Sequence, residues 1–104
     1  MRIIRDLCDD IRENIHEARE KIRTAYMLRD ECRQAADWYR DMACAHLNFN
    51  QMGHDTVTKL MNEAKVSGKQ ADVLPGMMVV YQDIHAQLIR ESAEVKAMID
   101  MYGK

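Results

Sequence analysis

From its first residues the chain repeats apolar positions at alternating steps of four and three. The opening series is Ile4, Cys8, Ile11, Ile15, Ala18, Ile22 and Ala25, three heptads that draw one narrow stripe down a helix. Arg, Asp, Glu and Lys fill the positions between, so residues 2–27 are predicted to form a helix with one buried seam and a solvated back. Asp30 is the candidate N-cap of the next helix, after a short break at Leu28 and Arg29. No Gly or Pro marks that break, and a helix continuous through residues 28–30 stays open as an alternative.

The same alternation runs on through Cys32, Ala36, Tyr39, Ala43, His46, Asn50, Gly53, Val57, Leu60 and Ala64. It predicts a second helix over 31–66, roughly 50 Å long at 1.5 Å per residue and longer than its neighbours. The clearest interruption is SGKQADVLPG at 67–76, which carries two glycines and the single proline. Pro75 suits the first turn of a new helix, where its missing N–H costs nothing. A third helix over 76–102 then follows from Met78, Tyr81, His85, Leu88, Ser92, Val95, Ile99 and Tyr102, flanked by Met77, Ile84, Glu91 and Met98, with Gly103 as its stop. The predicted fold is all-α: one domain over 1–104, an antiparallel three-helix hairpin with a long second helix, completed as a larger bundle by self-association into a dimer or more.

Composition agrees and removes several function classes. Nine methionines stand against one proline, four glycines and six aromatics in 104 residues, a profile for helices with adaptable packing and against sheets. The 15 Lys and Arg are interleaved with 17 Asp and Glu, for a net charge of −2, so no basic stripe marks a nucleic-acid partner. No apolar run reaches membrane-spanning length, and MRIIRDLC is too charged for a signal peptide, so the chain reads as cytoplasmic. Cys8, Cys32 and Cys44 form no CxxC pair and suggest neither a disulfide framework nor a cysteine zinc site. Cys8 and Cys32 read as small core hydrophobes, whereas Cys44, one step off the seam, is open to exposure and reaction.

The unexpected feature is polarity on the seams. In HLNFNQMGHD, residues 46–55, His46, Asn50 and Gly53 fall on the inward line with His54 beside it, and His85 falls on the third seam. Helical rise places His54 and His85 near one level if the second and third helices run antiparallel, with His46 about two turns deeper, near Ser92 and Glu91. Two readings follow. One is a first-row transition-metal site using His54, His85 and His46 with a carboxylate such as Asp55 or Asp83. The other is a structural polar network that sets register and oligomeric state, with Gly53 admitting a neighbouring helix. The network carries the greater weight, because seam position alone does not show convergence. His16, Glu17 and Glu20 lie opposite the first seam on a solvated face, and Glu91 and Glu94 are neighbours without a partner on another helix. No HExxH, phosphate loop or GxSxG occurs, and no serine or cysteine nucleophile shows a base partner in sequence, which argues against covalent catalysis. Tyr39, Tyr81 and Tyr102 read as packed rings with bonded hydroxyls.

ADWY at 36–39, GHDTVTKL at 53–60, PG at 75–76, YQDIH at 81–85, EVK at 94–96 and MY at 101–102 together resemble a group of small, little-characterised ferritin-like helical-bundle proteins, often encoded by phages or prophages. The resemblance spans nearly the whole chain. It implies a ferritin-like bundle with a His–Asp pair late in the second helix, matched by His54 and Asp55, and a Tyr-x-x-x-His early in the third, matched by Tyr81 and His85. The sequence departs from it where ferritin-like metal sites place inward glutamates and Glu-x-x-His. Residues 45–49 read Ala-His-Leu-Asn-Phe, and the first helix offers Asn14 beside its seam and no inward glutamate. A nitrogen-rich mononuclear site, or the polar core such a site leaves behind, is expected in place of a di-iron centre.

The expected function is accordingly non-enzymatic: a homo-oligomeric interaction or structural protein, an accessory of a phage or other mobile element, with a protein partner. The alternative is a ferritin-like metal-binding protein that uses the core histidines. A ligand pocket at a subunit interface has only Tyr39 with Arg40 to suggest it.

Overall fold

A computed structural model of the chain describes residues 2–67 and 77–103. These residues form three α-helices, α1 (Arg2–Leu28), α2 (Arg33–Ser67) and α3 (Met77–Tyr102), and no strand. They pack as a slender body of 55 × 17 × 16 Å, with α1 and α2 antiparallel and α3 returning alongside α1. Of the break expected at 67–76, Ser67 is still helical and ends α2, and the rest, with Pro75 and Gly76, lies outside the described residues.

All seven positions of the first seam are buried, none more than 3 % exposed. Burying a side chain the size of isoleucine contributes roughly 1.5–3 kcal/mol, an upper figure because the unfolded chain is itself partly collapsed. The four isoleucines Ile4, Ile11, Ile15 and Ile22 thus form the apolar backbone of the core. Cys8 belongs to this line, and burial pushes its thiol pKa up, which leaves it a packing group.

The junction between α1 and α2 is a turn, so the two helices are separate. The amides of Glu31 and Cys32 both donate to the Leu28 carbonyl, at 3.1 and 2.8 Å, and Ala36 N–H donates to Cys32 O at 3.0 Å to open α2. Cys32 therefore holds the cap position expected of Asp30, because the turn at 29–31 consumes Asp30 before the helix starts. Cys32 is accordingly exposed and is not the core residue its place in the heptad series suggested.

Along α2 the buried line follows the sequence pattern at first and then leaves it. Ala36, Ala43, Asn50 and Val57, seven residues apart, are all buried. Their partners shift from Tyr39, His46 and Gly53, which are half-buried, to His54 and Met61, which are buried, while Leu60 stays half-exposed. A straight helix turns about 20° per heptad relative to a strict 3.5-residue repeat, and over 35 residues that drift carries the seam from the α1 side toward α3. On α3 the expected positions Tyr81, His85, Leu88, Val95, Ile99 and Tyr102 are buried.

At Gly53 α1 packs closely against α2. A Cβ there would lie 3.1 Å from Cγ1 of Ile11, and one turn away Asn50 donates its side-chain amide to the Ile11 carbonyl at 3.0 Å. Gly53→Ala is expected to be nearly neutral, since about 1 kcal/mol of gained helix propensity offsets the crowding. Gly53→Leu is expected to lower unfolding free energy by about 1–3 kcal/mol through overpacking. Urea titrations followed by circular dichroism distinguish the two.

Candidate functional site

Two polar clamps hold α3 against α2. At one end the Tyr102 hydroxyl donates to Asp37 at 2.8 Å; toward the other, Nδ1 of His54 and Nε2 of His85 lie 3.0 Å apart. Asp37 and His54 are 17 residues apart on α2, and so are His85 and Tyr102 on α3, about 26 Å of helix in each case. Equal spacing on antiparallel helices lets both clamps close in one register. A slip of one helical position would break both.

The Tyr102 clamp also gathers charge. Its ring packs edge-on to Tyr26 at 5.5 Å, and the guanidinium groups of Arg29, Arg33 and Arg40 lie 5.3–5.7 Å from its centre. Arg33 pairs with Asp37 at 3.3 Å and Arg40 with Asp41 at 2.8 Å. Burial first, and then the bond to Asp37, raise the Tyr102 phenol pKa, so it stays a donor. The Tyr26 hydroxyl, reaching the Met98 carbonyl at 2.7 Å, ties α1 to the same end of α3. Sequence alone offered Tyr102 as a seam residue but gave no sign of Asp37, which sits one step off its own seam.

The histidine clamp lies beside an open groove between α2 and α3, about 630 Å³ in volume, with Leu47, Ile89 and Ile99 on its walls and His54 and Ser92 facing it. Nε2 of His54 is 3.0 Å from Oγ of Ser92, so both ring nitrogens of His54 are engaged. Burial lowers the His54 pKa, with Asp55 partly opposing it, and burial followed by the proximity of His54 lowers that of His85. Both rings are therefore neutral near pH 7, and one N–H lies between them.

Of the residues proposed for a metal site, then, the structure brings together only His54 and His85. His46 turns to α1, where its Nδ1 meets Asn14 Oδ1 at 3.0 Å, and it does not reach Ser92 or Glu91. Eight residues of helix rotate His46 about 80° from His54, enough to put them on opposite sides of the seam. Asp55 is exposed and accepts from Gln51 at 3.1 Å, and Asp83 is exposed. Among the described residues no three His, Cys, Asp or Glu side chains come together as metal ligands. Two imidazoles alone fall short of the three or more donors that first-row sites use. Every buried side-chain nitrogen and oxygen among the described residues has a partner, as a structural polar network requires. Cys44 is half-buried and lines the groove.

The dyad makes stability depend on pH. Folded-state pKa values below the ordinary histidine value of about 6.5 mean that the unfolded chain takes up protons first as pH falls. The contribution of neutral His54 and His85 is complete above that value and is lost as pH drops through it toward the lowered folded pKa values. The melting temperature is therefore expected to fall between pH 7.5 and 5, and a His54→Gln/His85→Gln variant to show a flatter slope over this window in calorimetry.

Comparison with protein-family models, with curated proteins and with solved structures finds no match.

Proposed function

We infer that this chain is a helical interaction module that pairs with a second copy of itself. The observation that carries this reading is a second apolar seam on α2. Trp38, Met42, Ala45, Phe49 and Met52 repeat the 4-3-4-3 spacing on the side of the helix turned away from the α2–α3 groove. Trp38, Phe49 and Met52 are 56, 68 and 71 % exposed. Single exposed hydrophobes are ordinary, but large ones that recur along one line of a helix mark a docking surface.

The stripe is close to symmetric about Ala45. Large side chains lie seven residues away on both sides, at Trp38 and Met52, and three or four away at Met42 and Phe49. An antiparallel crossing of two α2 helices at Ala45 would set Trp38 of one copy over Met52 of the other and Met42 over Phe49. The small residue would sit at the crossing, where the backbones come nearest. That is an isologous arrangement, in which one patch serves both partners, and a net charge of −2 opposes it little. Methionines at two of the five positions suit an adaptable surface. The resemblance to phage-encoded ferritin-like bundles supports a role as a small accessory assembly protein.

Sedimentation and light scattering of the wild-type chain are expected to give a dimer. Phe49→Asp is expected to weaken it by about 100-fold in Kd, about 2.8 kcal/mol, with helicity unchanged by circular dichroism. A monomeric wild type at high micromolar concentration would reject this reading. The metal-binding alternative rests on the His54–His85 pair alone. Treatment with a chelator is expected to leave the melting temperature unchanged, whereas a resident metal would lower it on removal.

A further inference from the structure

The histidine clamp continues to a hydroxyl. Ser92 Oγ stands 3.0 Å from Nε2 of His54, whose opposite nitrogen, Nδ1, stands 3.0 Å from Nε2 of His85. With neutral rings two proton arrangements satisfy the line, one the reverse of the other; in the first, Ser92 O–H donates to His54 Nε2 and His54 Nδ1–H donates to His85 Nε2, and it is this one that readies the hydroxyl. A hydroxyl, an imidazole base and an orienting acceptor on the far side of the ring are the parts that turn a serine into a nucleophile, whatever the fold. Hydroxyls within these helices have another common option. Those of Thr24, Thr56 and Thr58 donate back to the carbonyl four residues earlier, at 2.8–3.0 Å. Ser92 Oγ meets an imidazole instead, and both residues face the groove.

We propose that Ser92, activated by His54 and with that ring oriented by His85, is a nucleophile toward uncharged carboxylic esters bound in the α2–α3 groove. The groove suits such a substrate. Leu47, Ile89 and Ile99 offer an apolar wall for an acyl chain; Asn48 lines the same space and carries an amide donor suited to a developing oxyanion, while Lys96, one turn beyond Ser92, lines it with its ammonium held by Asp100 at 2.9 Å. Ser92 Oγ bonds to the carbonyl carbon as its proton passes to His54 Nε2. The tetrahedral oxyanion then collapses, the bond to the alkoxy oxygen breaks, and the proton on His54 leaves with that oxygen as an alcohol. Water completes the cycle. Its oxygen bonds to the acyl carbon, one proton goes to His54 and on to Ser92 Oγ as the ester bond to serine breaks, and a carboxylic acid departs. His54 and Ser92 touch the reacting atoms; His85 is a positioning residue. The lowered His54 pKa keeps the base unprotonated at neutral pH. The groove and the α2 stripe lie on different sides of the helix, so this inference does not depend on self-association.

The test is reaction of the purified full-length chain with an alkyl fluorophosphonate, read by intact mass and peptide mapping. The expected result is a single adduct on Ser92, absent in Ser92→Ala and formed at least about 100-fold more slowly in His54→Gln. In the wild type, which needs no substitution, the labelling rate is expected to rise with pH through one step below 6.5 and then level off. His85→Gln is expected to shift that step while leaving Ser92 the labelled residue. No adduct on helical wild-type protein, an adduct at another residue, a rate flat in pH, or equal labelling of folded His54→Gln would overturn the proposal.

Discussion

The close packing of α1 on α2 is the constraint on which the rest of this molecule depends. Seven positions of α1, from Ile4 to Ala25, are essentially removed from solvent, and the facing line on α2 sets the small residues Ala36, Ala43 and Gly53 among larger ones. Large against small brings the two axes close together. At Ile11 and Gly53 the approach is close enough that even a methyl group would crowd its neighbour. Because α2 is held there over most of its length, its remaining faces take set directions. One turns toward α3, and another, bearing Trp38, Phe49 and Met52, turns to solvent.

Against that rigid pair α3 is held differently. Its apolar seam supplies adhesion, but an apolar seam tolerates sliding by whole turns, whereas hydrogen bonds do not. The bonds from Tyr102 to Asp37 and between His54 and His85, equally spaced on both helices, select one register out of several. Polar residues at seam positions give up some apolar burial and gain specificity in return. Since they close on side chains of the other helix and leave no buried polar atom unpaired among the described residues, their desolvation cost is largely offset.

The same histidines that set register are poised for proton chemistry, and both properties have one physical origin. Burial that makes an ionised imidazole costly keeps both rings neutral, so each ring has one donor and one acceptor nitrogen, and a directional chain of bonds becomes possible. A metal centre would ask the opposite of this arrangement, both facing nitrogens bare toward a cation and at least one further donor. Nearby carboxylates such as Asp55 point instead to solvent and to their own helix.

The sequence by itself determined the three helices and most of their buried faces, because a 3.5-residue apolar repeat has one solution in water: a helix with that stripe inside. It also placed His54 and His85 at one level, since helical rise is a constant and antiparallel packing follows from a short connection. Only the tertiary structure decided where the partners lay. His46 went to Asn14, because eight residues of helix rotate it about 80° from His54, which faces α3. Asp37 and Ser92 acquired their roles from residues 65 and 38 positions away in the chain, distances over which no local periodicity carries information. The exposed stripe from Trp38 to Met52 has the spacing of a buried seam, and sequence alone cannot say which of two apolar lines on one helix the fold will cover. That choice falls to the line whose small residues let α1 come closest.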